Sequence, residues 1–98
     1  MYSQPIELNE EELAVLGTLI MLFDQQERQR IEYSELVNYL VQREYFSDYR
    51  IRKIILSLQT SGYAERQGKY IGFGPRTLIE FTDEAREQIA LQAHDLLF

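Results

Sequence analysis

Apolar residues recur along this chain at three- and four-residue spacings, interrupted by polar runs. Leu13, Leu16, Ile20 and Phe23 make the first stripe, and Val15, Leu19 and Leu22 widen it. The spacing predicts a helix that is apolar nearly all round in its second half, and therefore central. Asn9 followed by Glu10, Glu11 and Glu12 has the form of a capping box, with Asn9 as N-cap and Glu12 three residues on. Leu8 and Leu13 flank that cap as a hydrophobic staple, and the glutamates suit the positive end of the helix dipole. The polar run from Asp24 to Arg30 ends the helix.

Ile31 supplies a very short predicted strand, and Ser34 is the expected cap of a second helix, "SELVNYLVQ", with Leu36, Val37, Leu40 and Val41 inward. The segment "REYF" breaks it. Ser47 is the next expected cap. Beyond it Ile51, Ile54, Ile55 and Leu58 form an inward face at i, i+3, i+4 and i+7, and Gly62 stands where a helix ends in the left-handed conformation. At about 100° per residue, Tyr49, Lys53 and Thr60 point away from that face. Arg50 and Arg52 flank it, and Leu56 falls on the solvent side. Two β-prone runs, Tyr63 to Arg66 and Lys69 to Phe73, flank Gln67-Gly68 and read as a hairpin. Helix, short strand, helix, helix, hairpin is the element order of a winged helix-turn-helix: mainly α with a small β-hairpin, one domain over residues 1–98.

The stretch "GKYIGFGPRTLIEF", Gly68 to Phe81, admits two readings. In one, Thr77 to Thr82 is a third strand in which Ile79 and Phe81 alternate with Glu80, and Thr82 caps a last helix. The run "EFTDEARE" then resembles the strand-to-helix junction of MarR- and PadR-type bacterial regulators. That likeness implies a homodimeric DNA-binding transcriptional regulator with a long basic wing. In the other, Gly74 is an N-cap, Pro75 takes the first helical position, and one helix follows. Its face is Leu78, Phe81, Ala85, Ile89, Ala93 and Leu96.

The second reading has its own likeness. Gly68, Tyr70, Arg76, Leu78, Glu80 and Phe81 resemble, in order, the wing and following helix of the second winged-helix domain of KITE proteins. These are the kleisin-interacting tandem winged-helix subunits of SMC-type chromosome complexes. The nearest resemblance is to the RING-bearing non-SMC-element subunit of the DNA-repair complex. "FGPR" at Phe73 to Arg76 is similar to the "WGPR" of MAGE-type partners, and "LNEEELAVLGTLI" to the first helix of that same domain. The resemblance implies protein docking within such a complex, with weak, sequence-independent duplex contact. The chain departs from it in having room for one winged helix and no cysteine for a RING.

Composition sharpens the choice. The chain is 45% hydrophobic and 27% charged, which is globular, and carries a net charge of −6. Yet Asp48 to Thr77 holds six basic residues against two acidic ones, while the remainder is strongly acidic. Arg50, Arg52, Lys53, Arg66, Lys69 and Arg76 are the candidate DNA-binding residues, because duplex affinity draws on cations at phosphates. The candidate protein interface is Tyr49, Leu56, Tyr70, Phe73, Leu97 and Phe98. Tyrosine is enriched at interfaces, and the C-terminal Leu97 and Phe98 have little to bury against in one small domain. The partner is expected to be a hetero-subunit, or a second copy through terminal helices. His94, the lone histidine, reads as a surface residue, and no nucleophile–base set is legible. No enzyme activity, cofactor, metal or small-molecule ligand is expected. With no cysteine and no apolar run long enough to span a bilayer, the expectation is a cytoplasmic or nuclear protein without membrane contact.

Overall fold

A computed structural model describes residues 8–43 and 46–97. The elements run α1 (Glu10–Gln26), β1 (Arg30–Glu32), α2 (Tyr33–Gln42), α3 (Asp48–Thr60), β2 (Ala64–Gln67), β3 (Tyr70–Phe73), a π-helical turn (Arg76–Glu80) and α4 (Asp83–Leu97). The chain is mainly helical with one small antiparallel sheet of order β1-β3-β2. Ile31 faces Ile71 across one ladder and Arg66 faces Ile71 across the other. The short strand at Ile31 therefore joins the hairpin as its third member.

The capping box forms as its residues dictate. The Glu12 backbone N–H donates to Asn9 Oδ1 at 2.8 Å, and the Asn9 N–H donates back to Glu12 Oε1 at 3.1 Å. Ala14 to Ile20 of α1 are all buried, which makes α1 the central helix. It ends on Glu27, held at φ 51° in the left-handed region, and the Arg28 N–H donates to Phe23 O at 3.0 Å.

Val41 of α2, expected inward, is exposed, and three further local expectations change. Ser34 does not cap α2: the helix already begins at Tyr33, with Glu32 in the cap position and no side-chain hydrogen bond there. The Tyr33 N–H, one of the free donors of the first turn, is taken by Lys69 O of the hairpin turn at 2.7 Å, which fixes the helix start one residue before Ser34. The hairpin turns at Gly68-Lys69, one residue later than expected, since Gln67 pairs with Tyr70. Gly68 takes φ 62°, which is why glycine stands first in that two-residue loop.

The third change concerns Thr77 to Thr82, which is not a strand. Pro75 adopts αR geometry and Arg76–Glu80 form a helical turn, as the Gly74-Pro75 start required. The continuous helix expected beyond it does not form either. Phe81 is extended at φ −97° and ψ 128°, and Thr82 Oγ1 accepts the Ala85 N–H at 3.1 Å to start α4 afresh. The break lets Phe81 turn inward to the Tyr63 ring, with centroids 5.6 Å apart, while Leu78 and Ile79 face outward. The inward face proposed for one long helix thus loses Leu78.

The glycine-rich stretch is a packed junction. Gly74 is buried, and a Cβ there would come 2.8 Å from the Gly62 carbonyl carbon and closer still to its oxygen. Tyr63 O accepts both the Gly74 N–H at 3.0 Å and the hydroxyl of buried Thr77 at 2.8 Å. The Arg86 guanidinium donates to Leu78 O at 3.2 Å and so ties the turn to α4. The core is one cluster drawn from all four helices and the sheet, with Leu16, Leu36, Leu40, Ile51, Ile55 and Ile89 wholly buried.

Candidate interaction surface

The amphipathic pattern of α3 decides which residues reach solvent. Ser47 Oγ accepts the Arg50 N–H at 3.2 Å and fixes the start of the helix. Burial of Ile51, Ile54, Ile55 and Leu58 then turns Tyr49, Lys53, Leu56 and Thr60 outward. Tyr49 is 69% exposed and Leu56 60%, and the Lys53 ammonium lies 5.1 Å from the Tyr49 ring centroid. Tyr49 and Leu56, two turns apart with Lys53 between them, are the exposed large apolar side chains of this face.

Most of the candidate DNA-binding cations already face carboxylates. Arg50 Nε donates to the Glu11 carboxylate on α1. Arg52 Nε donates to Asp48 Oδ1 at 2.5 Å. Hydrogen bonding to these carboxylates, Glu11 for Arg50 and Asp48 for Arg52, holds both guanidinium groups above their ordinary pKa. Lys69 Nζ lies 3.6 Å from Glu32 and Arg76 Nε lies 3.4 Å from Glu80. Exposed pairs of this kind contribute little stability, but they cancel charge that a phosphate would otherwise meet. Among the described residues, Lys53 and Arg66 make no ion pair.

The cations divide into groups. Arg52 and Arg66 meet over one ring, their guanidinium carbons 5.2 and 3.9 Å from the centroid of buried Tyr33. Arg66 Nε also donates to Gly68 O at 3.0 Å, which holds the arginine along the hairpin. Arg76 sits at the far end of α3, half-buried over the Tyr63 ring at 4.5 Å, with its side chain against Gly62. It belongs to the junction more than to an open basic face. Lys69 is at the hairpin tip.

The apolar candidates divide as well. Tyr70 is half-buried with the Arg30 guanidinium 4.4 Å over its ring. Phe73 turns inward, its centroid 4.9 Å from that of Phe23, so its packing partner lies within the chain. Leu97 closes α4, and its side chain lies outside the described residues, as does Phe98. Beside the sheet, an open groove of about 1100 Å³ is lined by Met21, Phe73, Leu78, Arg86 and their neighbours, with charges of both signs. Among the described residues no group of three or more His, Cys, Asp or Glu is placed to hold a metal ion. No helix among them is long and apolar enough to cross a membrane.

Sequence reasoning missed the part α1 plays at this surface. Glu11 and Glu12 suit the helix dipole, and that explanation is sufficient on a single helix. In the fold they also reach α3, where Ser57 Oγ donates to Glu12 Oε2 at 2.6 Å beside the Arg50–Glu11 pair. No spacing rule connects residues so far apart in the chain. No protein-family model, no characterised protein and no solved structure matches the chain.

Proposed function

We propose that this chain is a non-catalytic winged-helix module that docks a protein partner through the outward face of α3. The order α1–β1–α2–α3–β2–β3 and the β1-β3-β2 sheet support the winged-helix reading, with β2–β3 as the wing. One observation carries the choice of a protein partner. The outward stripe exposes Tyr49 and Leu56 while four of the six candidate cations face carboxylates. A duplex-reading helix calls for the reverse, polar and cationic side chains free for bases and phosphates. Exposed aromatic and aliphatic anchors suit a protein surface.

The setting we propose is a KITE-like role in an SMC-type complex. Its support is the likeness at Gly68, Tyr70, Arg76, Leu78, Glu80 and Phe81, together with the helical geometry of Arg76–Glu80. Duplex contact is then secondary and rests on Lys53 and Arg66. The homodimeric-regulator reading keeps one observation in its favour, the fresh cap at Thr82. Affinity capture of the wild-type chain and of Leu56→Glu, with mass spectrometry of bound chains, tests the reading. A partner specific to wild type and lost in the variant supports it. Equal recovery by both sinks it. Salt titration of duplex binding tests the secondary contact: Lys53→Ala should flatten the log–log slope by about one.

A further inference from the structure

Two helices of this chain carry outward stripes that mix exposed apolar side chains with unpaired charge of opposite sign. On α3 the stripe is Tyr49, Lys53 and Leu56, flanked by Arg50 and Arg52. On α4, Glu84, Glu87, Leu91 and Asp95 fall at i, i+3, i+7 and i+11, and all four are exposed. Leu91 is 54% exposed, one turn from Glu87 on one side and from Asp95 on the other. The opposite face of α4, with Ile89 and Ala93, is buried in the fold, so the acidic stripe is not used by the chain itself. Glu84, Glu87 and Asp95 pair with no cation among the described residues, and Lys53 pairs with no carboxylate among them.

The spacings match. Tyr49 and Leu56 are two turns apart, about 10 Å along the axis, with Lys53 between them about 4.5 Å from Leu56. Leu91 set against Leu56 brings Glu87, about 6 Å along α4, to Lys53. Apolar contact beside a pair of opposite charges is the making of a specific protein contact.

We propose that the acidic α4 stripe of a second copy of this chain occupies the outward face of α3. The proposal rests on reading that face as a protein-docking surface. The two stripes differ, so each contact joins unlike surfaces. It closes when two copies make it reciprocally and propagates when they do not.

Sedimentation velocity of the full chain over a concentration series, at low and high salt, tests this. The expected result is a weight-average mass that rises with concentration and falls with salt. Lys53→Glu and Glu87→Lys should each weaken association by about tenfold or more, since each sets like charges opposite one another. Mixing the two variants should restore it, because every α3–α4 contact between them is again of opposite sign. Circular dichroism matching wild type verifies that these exposed substitutions leave the fold intact. A chain that stays monomeric throughout overturns the proposal, as does association indifferent to both substitutions. A monomer whose Leu56→Glu variant still loses a hetero-partner refutes self-contact and leaves the docking reading standing. Charge-swap rescue with no hetero-partner lost by Leu56→Glu upholds self-contact and leaves a second copy of this chain as the protein docked on α3.

Discussion

Gly17 of α1 and Ala93 of α4 meet so closely that neither helix has room for a larger side chain at the crossing. A Cβ built on Gly17 would come 2.6 Å from the Ile89 carbonyl oxygen and nearer still to the Ala93 methyl. Helix propensity alone predicts that Gly17→Ala stabilises α1 by about 1 kcal/mol. The obstacle is backbone, which has no rotamer to change, and overpacking of this kind costs about 1–3 kcal/mol. The net expectation is a loss of up to about 2 kcal/mol for Gly17→Ala, and more for Gly17→Val. Urea unfolding checks the sign: a more stable alanine variant would mean that α4 does not seat against Gly17.

Gly74 and Gly68 separate two reasons for glycine. A methyl at Gly74 has no strained φ to contend with but runs into the Gly62 carbonyl. Nothing stands within 4 Å of a methyl at Gly68, yet its φ of 62° disfavours any other residue. Gly68→Ala is expected to cost about 1–2 kcal/mol. Gly74→Ala is expected to cost more, because the hydrogen bonds of Gly74 and Thr77 to Tyr63 O both depend on that approach. Gly68→Asn should recover part of the first loss, since Asn tolerates the left-handed region, whereas Gly74→Asn should recover none of the second. Thermal unfolding of the four variants ranks them.

Much of the fold was legible because its signals are local. Asn9 and Glu12, Ser47 and Gly62 mark helix ends within four residues, and the isoleucines of α3 report their own inward face. What was not legible depends on distant neighbours. Gly17 reads as a weak helix position until Ala93 is seen against it. Ser34 has the chemistry of a cap, but the bond from the Tyr33 N–H to Lys69 O starts the helix before it. At Phe81 two strong patterns compete over the same residues. A helical start at Gly74-Pro75 and a cap at Thr82 are both obeyed, and the extended residue between them is the compromise. The candidate surface was half legible: outward Tyr49 and Leu56 followed from periodicity, while the neutralisation of Arg50 by Glu11 did not.

The end of α1 offers a stabilising change. Glu27 holds φ 51°, a conformation costing a non-glycine residue roughly 1–2 kcal/mol. The polar run after Phe23 contains no glycine to take it. Glu27→Gly removes that strain and gives back part of it as backbone entropy, for a net gain of up to about 1 kcal/mol. Glu27→Ala keeps the strain and should change stability little. Denaturant midpoints for the two variants distinguish relief of backbone strain from simple removal of a charge.

Glu12 links the start of α1 to the face of α3, and the two roles are separable. Its Oε1 serves Asn9 and its Oε2 accepts from Ser57. Asn9→Ala removes the cap and is expected to cost about 1 kcal/mol. Ser57→Ala removes one exposed hydrogen bond and is expected to cost about 0.5–1 kcal/mol. Glu12→Ala removes both of these side-chain bonds but keeps the Glu12 N–H bond to Asn9 Oδ1, so its loss should exceed that of Ser57→Ala. In a double-mutant cycle, Glu12 and Ser57 should couple by about 0.5 kcal/mol or more. Arg50 meets Glu11 beside this link, so Glu12→Ala is also expected to loosen the docking of α3 on α1 and raise amide exchange in the first turns of both helices. Additive behaviour of Glu12→Ala and Ser57→Ala, with exchange unchanged in α3, would reduce Glu12 to a cap alone.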